Sequence, residues 1–75
     1  MSRHRGAVQI RKENVNNLYY LIIQKKDSMS LKQICALYAF TTGLSLARVE
    51  DYLTVLTESG IVKAKLGKVI AVVEI

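Results

Sequence analysis

At Gly60 the periodicity of the chain changes. Upstream, Leu46, Val49, Leu53 and Leu56 recur at intervals of three and four residues, the spacing that lays an apolar stripe along one side of a helix. Downstream, IVKAKLGKVIAVVEI alternates, and Leu66-Gly67 stands as a two-residue turn between its two runs. A helix that hands over to a β-hairpin within a few residues restricts the fold sharply. The two elements must share one core with whatever precedes them, because a lone hairpin is marginal in water.

Two further helices are expected before that junction. From Glu13 to about Lys26, Val15, Leu18, Tyr19 and Ile22 fall at helical spacing and Leu21 widens the stripe, while Lys25 and Lys26 sit in the last turn, where the helix dipole favours cations. Ser30-Leu31-Lys32-Gln33 has the form of a capping box, so a second helix starts at about Leu31 and buries Leu31, Ile34, Cys35, Leu37 and Tyr38. It ends near Thr41-Thr42-Gly43, where glycine supplies the turn, and Ser45 caps the third helix, which Ser59-Gly60 stops. The order is helix, helix, helix, hairpin: an α+β chain, mainly α. In the last strand Val69, Ala71, Val73 and Ile75 are expected on one face, with Ile70 and Val72 on the other beside Glu74.

Seventy-five residues make one domain, of which 13–75 is the folded part and 1–12 a basic arm. Ala7-Val8-Gln9-Ile10 in that arm alternates weakly, as a strand would, and the arm is expected to be mobile without a partner. The net charge of +5 is unevenly spread. Arg3, Arg5, Arg11 and Lys12 give the arm +4 with no acid, residues 13–62 carry −1, and Lys63, Lys65 and Lys68 leave +2 on the C-terminal segment.

Thr42-Gly43-Leu44-Ser45 ahead of a helix bearing Val49, Leu53 and Leu56, followed by Glu58-Ser59-Gly60-Ile61-Val62, resembles the winged helix-turn-helix superfamily over about residues 13–75. The resemblance implies three helices with a C-terminal hairpin wing, the third helix entering a DNA major groove and the wing lying along the backbone or minor groove. Two features depart from the pattern. The interval from Ile34-Cys35 to Gly43 is about one helical turn longer than in the compact motif, so the second helix or its turn is extended. At the positions where DNA readers place basic and amide side chains, the third helix offers Leu46, Ala47, Arg48, Asp51 and Tyr52.

Base edges are read by paired donors and acceptors, and phosphates are held by cations. On the third helix Arg48 is the candidate for guanine or phosphate and Tyr52 for phosphate or sugar, while Glu50 and Asp51 repel phosphate. Arm and wing offer a second route: Arg3, Arg5, Arg11 and Lys12 on one side, Lys63, Lys65 and Lys68 on the other. The first functional expectation is therefore a duplex DNA-binding protein, a transcriptional regulator or chromatin-associated factor, acting as a homodimer that presents two arms and two wings. The alternative is a protein-interaction module that docks through Leu46, Ala47, Tyr52 and Val55 on the mildly acidic third helix.

Other classes find little in the residues. There is no glycine-rich phosphate loop, no paired carboxylates for a cleft and no nucleophile with a base, so no enzyme is expected and no cofactor. A lone Cys35 and a lone His4 make no metal site, and Cys35 is read as a small buried residue where the second helix crosses the third. Tyr19, Tyr20 and Tyr38, at helical spacing, are assigned to the core or its rim. The apolar runs LYYLII and VIAVVEI fall far short of the roughly 20 residues of a membrane span, and the N-terminal stretch lacks the apolar core of a signal peptide. A cytoplasmic location with no membrane partner is the expectation.

Overall fold

Ser30 and Gln33 close the start of the second helix as their spacing requires. The structure, a computed structural model, describes the backbone of residues 7–73 and side chains from residue 10 onward. Gln33 N–H donates to Ser30 Oγ at 3.3 Å, and Ser30 N–H donates to Gln33 Oε1 at 3.0 Å. The elements in chain order are α1 (Ala7–Lys25), α2 (Leu31–Thr42), α3 (Leu46–Glu58), β1 (Val62–Lys65) and β2 (Lys68–Val72). This is the expected α+β layout, three helices and an antiparallel hairpin, and it is consistent with a winged helix. The extra turn ahead of Gly43 belongs to α2, which runs through Thr42 before Gly43 adopts φ +77°.

The core is built from all three helices and β1, with Val69 and Val72 of β2 partly buried against it. Leu18 and Ile22 of α1, Ile34 of α2, Val49 of α3 and Val62 of β1 are fully buried at its centre, and no buried side-chain polar atom among the described residues lacks a partner. Polar ties at the rim fix the helices. Tyr38 Oη donates to the Asn14 carbonyl at 3.1 Å, joining α2 to α1, and Tyr19 Oη donates to the Val73 carbonyl at 2.9 Å, joining α1 to the end of the hairpin.

Two expectations are corrected. The first helix already covers Ala7–Lys12 ahead of Glu13, where an arm with strand-like alternation was expected. That stretch has no glycine or proline to stop a helix and is rich in alanine, glutamine, arginine and lysine, which favour one; two apolar residues are too few to hold a strand. Arg3, His4 and Arg5 lie outside the described residues.

The second correction concerns β2. The register pairs Lys65 with Lys68 and Ala64 with Val69, but then Lys63 with Ala71 and Val62 with Val72. Ile70 is the extra residue of a β-bulge. It turns the strict alternation out of step, so that Val69 and Val72 pack on the core while Ala71 and Val73 are exposed. Placing Val72 opposite Val62, in the position Ala71 would otherwise take, buries roughly two more methyl groups, which favours the bulged register by about 1 kcal/mol. Ile75 and Glu74 lie outside the described residues.

The hairpin turn is held from below. Gly67 carbonyl accepts the Leu31 N–H at 2.9 Å, satisfying one of the donors that the first turn of α2 cannot satisfy internally. Leu66 and Gly67 have φ of +55° and +80°, the two positive values of a type I′ turn. Glycine tolerates that conformation; leucine there costs about 1 kcal/mol. Leu66→Asn gives the turn its favoured Asn-Gly sequence, and urea unfolding should show it more stable than the natural chain by about 1 kcal/mol.

Candidate nucleic-acid interface

Along α3 the 3.6-residue period separates a buried face from an outward one. Val49, Tyr52 and Leu56 are buried and Leu53 partly so, leaving Ala47, Arg48, Glu50, Asp51, Thr54, Val55 and Glu58 exposed. Tyr52, expected on the outward face, is only 3% exposed. It lies three residues after Val49 and four before Leu56, which puts it on the same side as both. Its hydroxyl receives a long contact from Asn14 Nδ2 at 3.4 Å and is directed at α1. The outward face therefore carries Arg48 against three acids, a net −2. That composition suits phosphate poorly along the helix centre.

The two flanks of α3 differ. On one, Ile10 and Arg11 of α1 meet Arg48, Asp51 and Tyr52 around a cleft of about 340 Å³. The helical course of α1 ahead of Glu13 creates this meeting, since it carries Arg11 on a rigid helix to the side of α3. Among the described residues neither Arg11 nor Arg48 is ion-paired, so both guanidinium groups are available to a ligand. On the other flank, Leu46, Glu50 and Leu53 face Leu31, Lys32 and Cys35 of α2 and Gly67 of the hairpin turn around an apolar groove of about 350 Å³. So α3 lies between the basic end of α1 and the tip of the hairpin.

The hairpin is charged on one side only. Lys63, Lys65 and Lys68 share its outer face with Ala71, while Val62, Ala64, Val69 and Val72 share the inner one, a sorting that the bulge at Ile70 completes. Residues 62–73 include no acid. Lys65 and Lys68 stand directly opposite each other across the turn, and like charges so placed repel. An anionic partner would relieve that repulsion.

The structure also recruits cations that the sequence did not single out for binding. Lys26 and Lys68 line one cleft with Ser30 and Gln33, and Lys32 lines the groove beside Gly67. The tie between Leu31 and Gly67 and the packing of Val69 on the core bring these residues to the hairpin, and no local pattern announces either. Lys26 approaches the exposed Asp27 at 3.8 Å, a surface pair of little energetic consequence. At the start of α2 beside this cleft, Gly67 engages the Leu31 N–H and Ser30 the Gln33 N–H.

Of the positions expected to bind, Arg11, Lys12, Arg48, Lys63, Lys65 and Lys68 are exposed, and Tyr52 is not. Leu46, Ala47 and Val55, expected in the alternative docking surface, are exposed as well. Cys35 is buried where α2 meets α3. Burial, with a smaller contribution from the Glu50 charge, raises its thiol to about 11. No group of three metal-ligating side chains occurs among the described residues, and none of the described helices is long and apolar enough to cross a membrane.

No protein-family model, curated protein or solved structure matches this chain.

The Cys35 shift has a direct consequence. Its folded value near 11 lies above the reference value of 9.0, so the folded state holds the thiol proton more tightly. The associated stability is complete below pH 9 and declines as pH rises from about 9 towards 11. At pH 8 the native thiol should react with a disulfide reagent orders of magnitude more slowly than in urea, where burial is lost. A stopped-flow thiol assay in both conditions checks this, and equal rates would contradict it.

Proposed function

We propose that this chain binds duplex DNA mainly through phosphates, as a winged-helix protein whose third helix contributes little base reading. The observation that supports this best is the placement of cations around α3. Arg11 and Arg48 lie at one flank, the hairpin turn at Gly67 and Lys32 lie at the other with Lys65 and Lys68 next to that turn, and among the described residues the arginines have no acidic partner. Two positive edges separated by one helix suit the two phosphate walls of a groove. The acids of α3 make it a poor reader, so affinity exceeds sequence discrimination. Resemblance to winged-helix proteins would make the chain a transcriptional or chromatin-associated factor, and pairing of two copies would double the phosphate contacts.

Anisotropy of a labelled mixed-sequence duplex, titrated across a salt series, tests the proposal. Affinity should fall by several powers of salt concentration, and Arg11→Ala, Lys65→Ala or Lys68→Ala should each reduce the slope by about 1. Removing the two central acids with Glu50→Gln and Asp51→Asn together should tighten binding by about fivefold if α3 faces the duplex. Absence of binding at low salt would sink the proposal.

The second reading rests on the same face of α3. Exposed Leu46, Ala47 and Val55 with Glu50, Asp51 and Glu58 make a surface that is apolar and acidic, the composition of a docking site for a basic protein partner. Under that reading the Glu50→Gln, Asp51→Asn double variant leaves any duplex signal unchanged.

A further inference from the structure

Leu66 is 94% exposed at the tip of the hairpin, in a backbone conformation that suits glycine or asparagine far better than leucine. No packing explains its choice. Other apolar side chains are exposed, Phe40 at 86% on the outer side of α2 among them, but among the described residues Leu66 is the one that stands in the turn joining two apposed cations, Lys65 and Lys68. The turn beneath it is anchored to α2 through the Gly67 carbonyl and Leu31 N–H at 2.9 Å. The tip is thus apolar, flanked by positive charge and held on a firm base.

We infer that Leu66 is a wedge that enters the minor groove of a bound duplex and partly unstacks a base step. The inference rests on the duplex-binding proposal, takes from the winged-helix resemblance that the wing lies at the minor groove, and adds what Leu66 does to the DNA there. Apposed residues on a hairpin have Cβ atoms about 5 Å apart and the minor groove is about 6 Å wide, so the long, flexible stems of Lys65 and Lys68 let their ammonium groups reach phosphates on its walls while the Leu66 side chain enters. Apolar side chains so placed part base steps and bend the duplex towards the major groove. Pyrimidine–purine steps yield most easily and would be preferred, which gives the complex some sequence dependence that α3 does not supply. A bilayer is the less suitable partner for the same tip, since one leucine offers too little apolar area to hold a protein there.

The test follows unstacking and binding in the same samples. Duplexes carrying the fluorescent base aminopurine at a TA step are titrated with the full chain and with its Leu66→Asn and Leu66→Met variants, and anisotropy reports binding. Asparagine suits the positive φ, so the first variant folds; methionine keeps an apolar, unbranched side chain. The natural chain should raise aminopurine fluorescence at saturation. Leu66→Asn should bind within about tenfold of it, with an unchanged salt slope and no rise in fluorescence, and Leu66→Met should restore the rise. Binding by the natural chain without a fluorescence change, or an equal change with Leu66→Asn, overturns the wedge and leaves the duplex-binding proposal standing. Absence of any anisotropy change overturns both. Binding to anionic vesicles that depends on Leu66, with duplex binding that does not, also overturns the wedge and assigns the tip to a lipid surface.

Discussion

One extra residue in the second strand organises the hairpin. The hairpin must offer an apolar face to three helices, and Val62 sits at the centre of the core they form. Strict alternation would bring Ala71 opposite Val62; the bulge at Ile70 brings Val72 instead, and keeps Val69 on the same inner side. Lys63, Lys65 and Lys68 share the outer face in either register, since the first two alternate along β1 and the third pairs with Lys65 on the turn side of the bulge. What the bulge changes is the far end of β2, where Val72 goes in and Ala71 goes out. The bulge also leaves Ile70 outside the ladder, 64% exposed, and an edge broken in this way is a poor template for another strand.

The position of that face depends on a second constraint, the bond between Gly67 and Leu31. It ties the tip of the hairpin to the start of α2, so the tip lies beside α3 and does not swing free. On the opposite flank, α1 extends about 28 Å along its axis, enough to carry Arg11 past the core to the cleft it shares with Arg48. Both devices are backbone features, and both set cations at the sides of a helix whose own outward face is acidic. A side chain on such a frame meets a phosphate without first losing the conformational freedom of a mobile arm.

Much of this fold is legible in the sequence because its strongest signals are local. The capping box at Ser30 and Gln33, the cap at Ser45, the glycines at 43 and 60 and the turn at Leu66-Gly67 each act within a few residues, and each lies where its pattern predicts. What escaped depends on contacts between distant segments. Tyr52 is legible from its spacing to Val49 and Leu56, but its hydroxyl suggests an outward position, and Asn14 of α1 is what gives that hydroxyl a partner at the edge of the core. The bulge is invisible in VIAVV, where every residue is apolar and either register satisfies alternation. The helix over Ala7–Lys12 is hard to read because only Val8 and Ile10 mark a pattern there and both alternate as a strand would, and the encounter of Arg11 with Arg48 depends on that helix. The candidate cations were thus readable as a list, while their arrangement around α3 was not.

The turn at the tip of the hairpin departs from what local stability would choose. Leucine in place of asparagine costs about 1 kcal/mol, and two apposed lysines add repulsion of a few tenths. A chain of this length has a stability of about 4 to 11 kcal/mol, so the loss is an appreciable fraction. Both features occur within four consecutive residues, Lys65 to Lys68, whereas the caps and turns elsewhere use residues suited to their geometry. Strain confined in this way points to a requirement that the isolated fold does not impose. An anion between the lysines lowers their repulsion, and an apolar environment around Leu66 offsets its backbone cost. Under the duplex-binding proposal a single partner supplies both, since a nucleic-acid groove carries phosphates on its rim and stacked bases within.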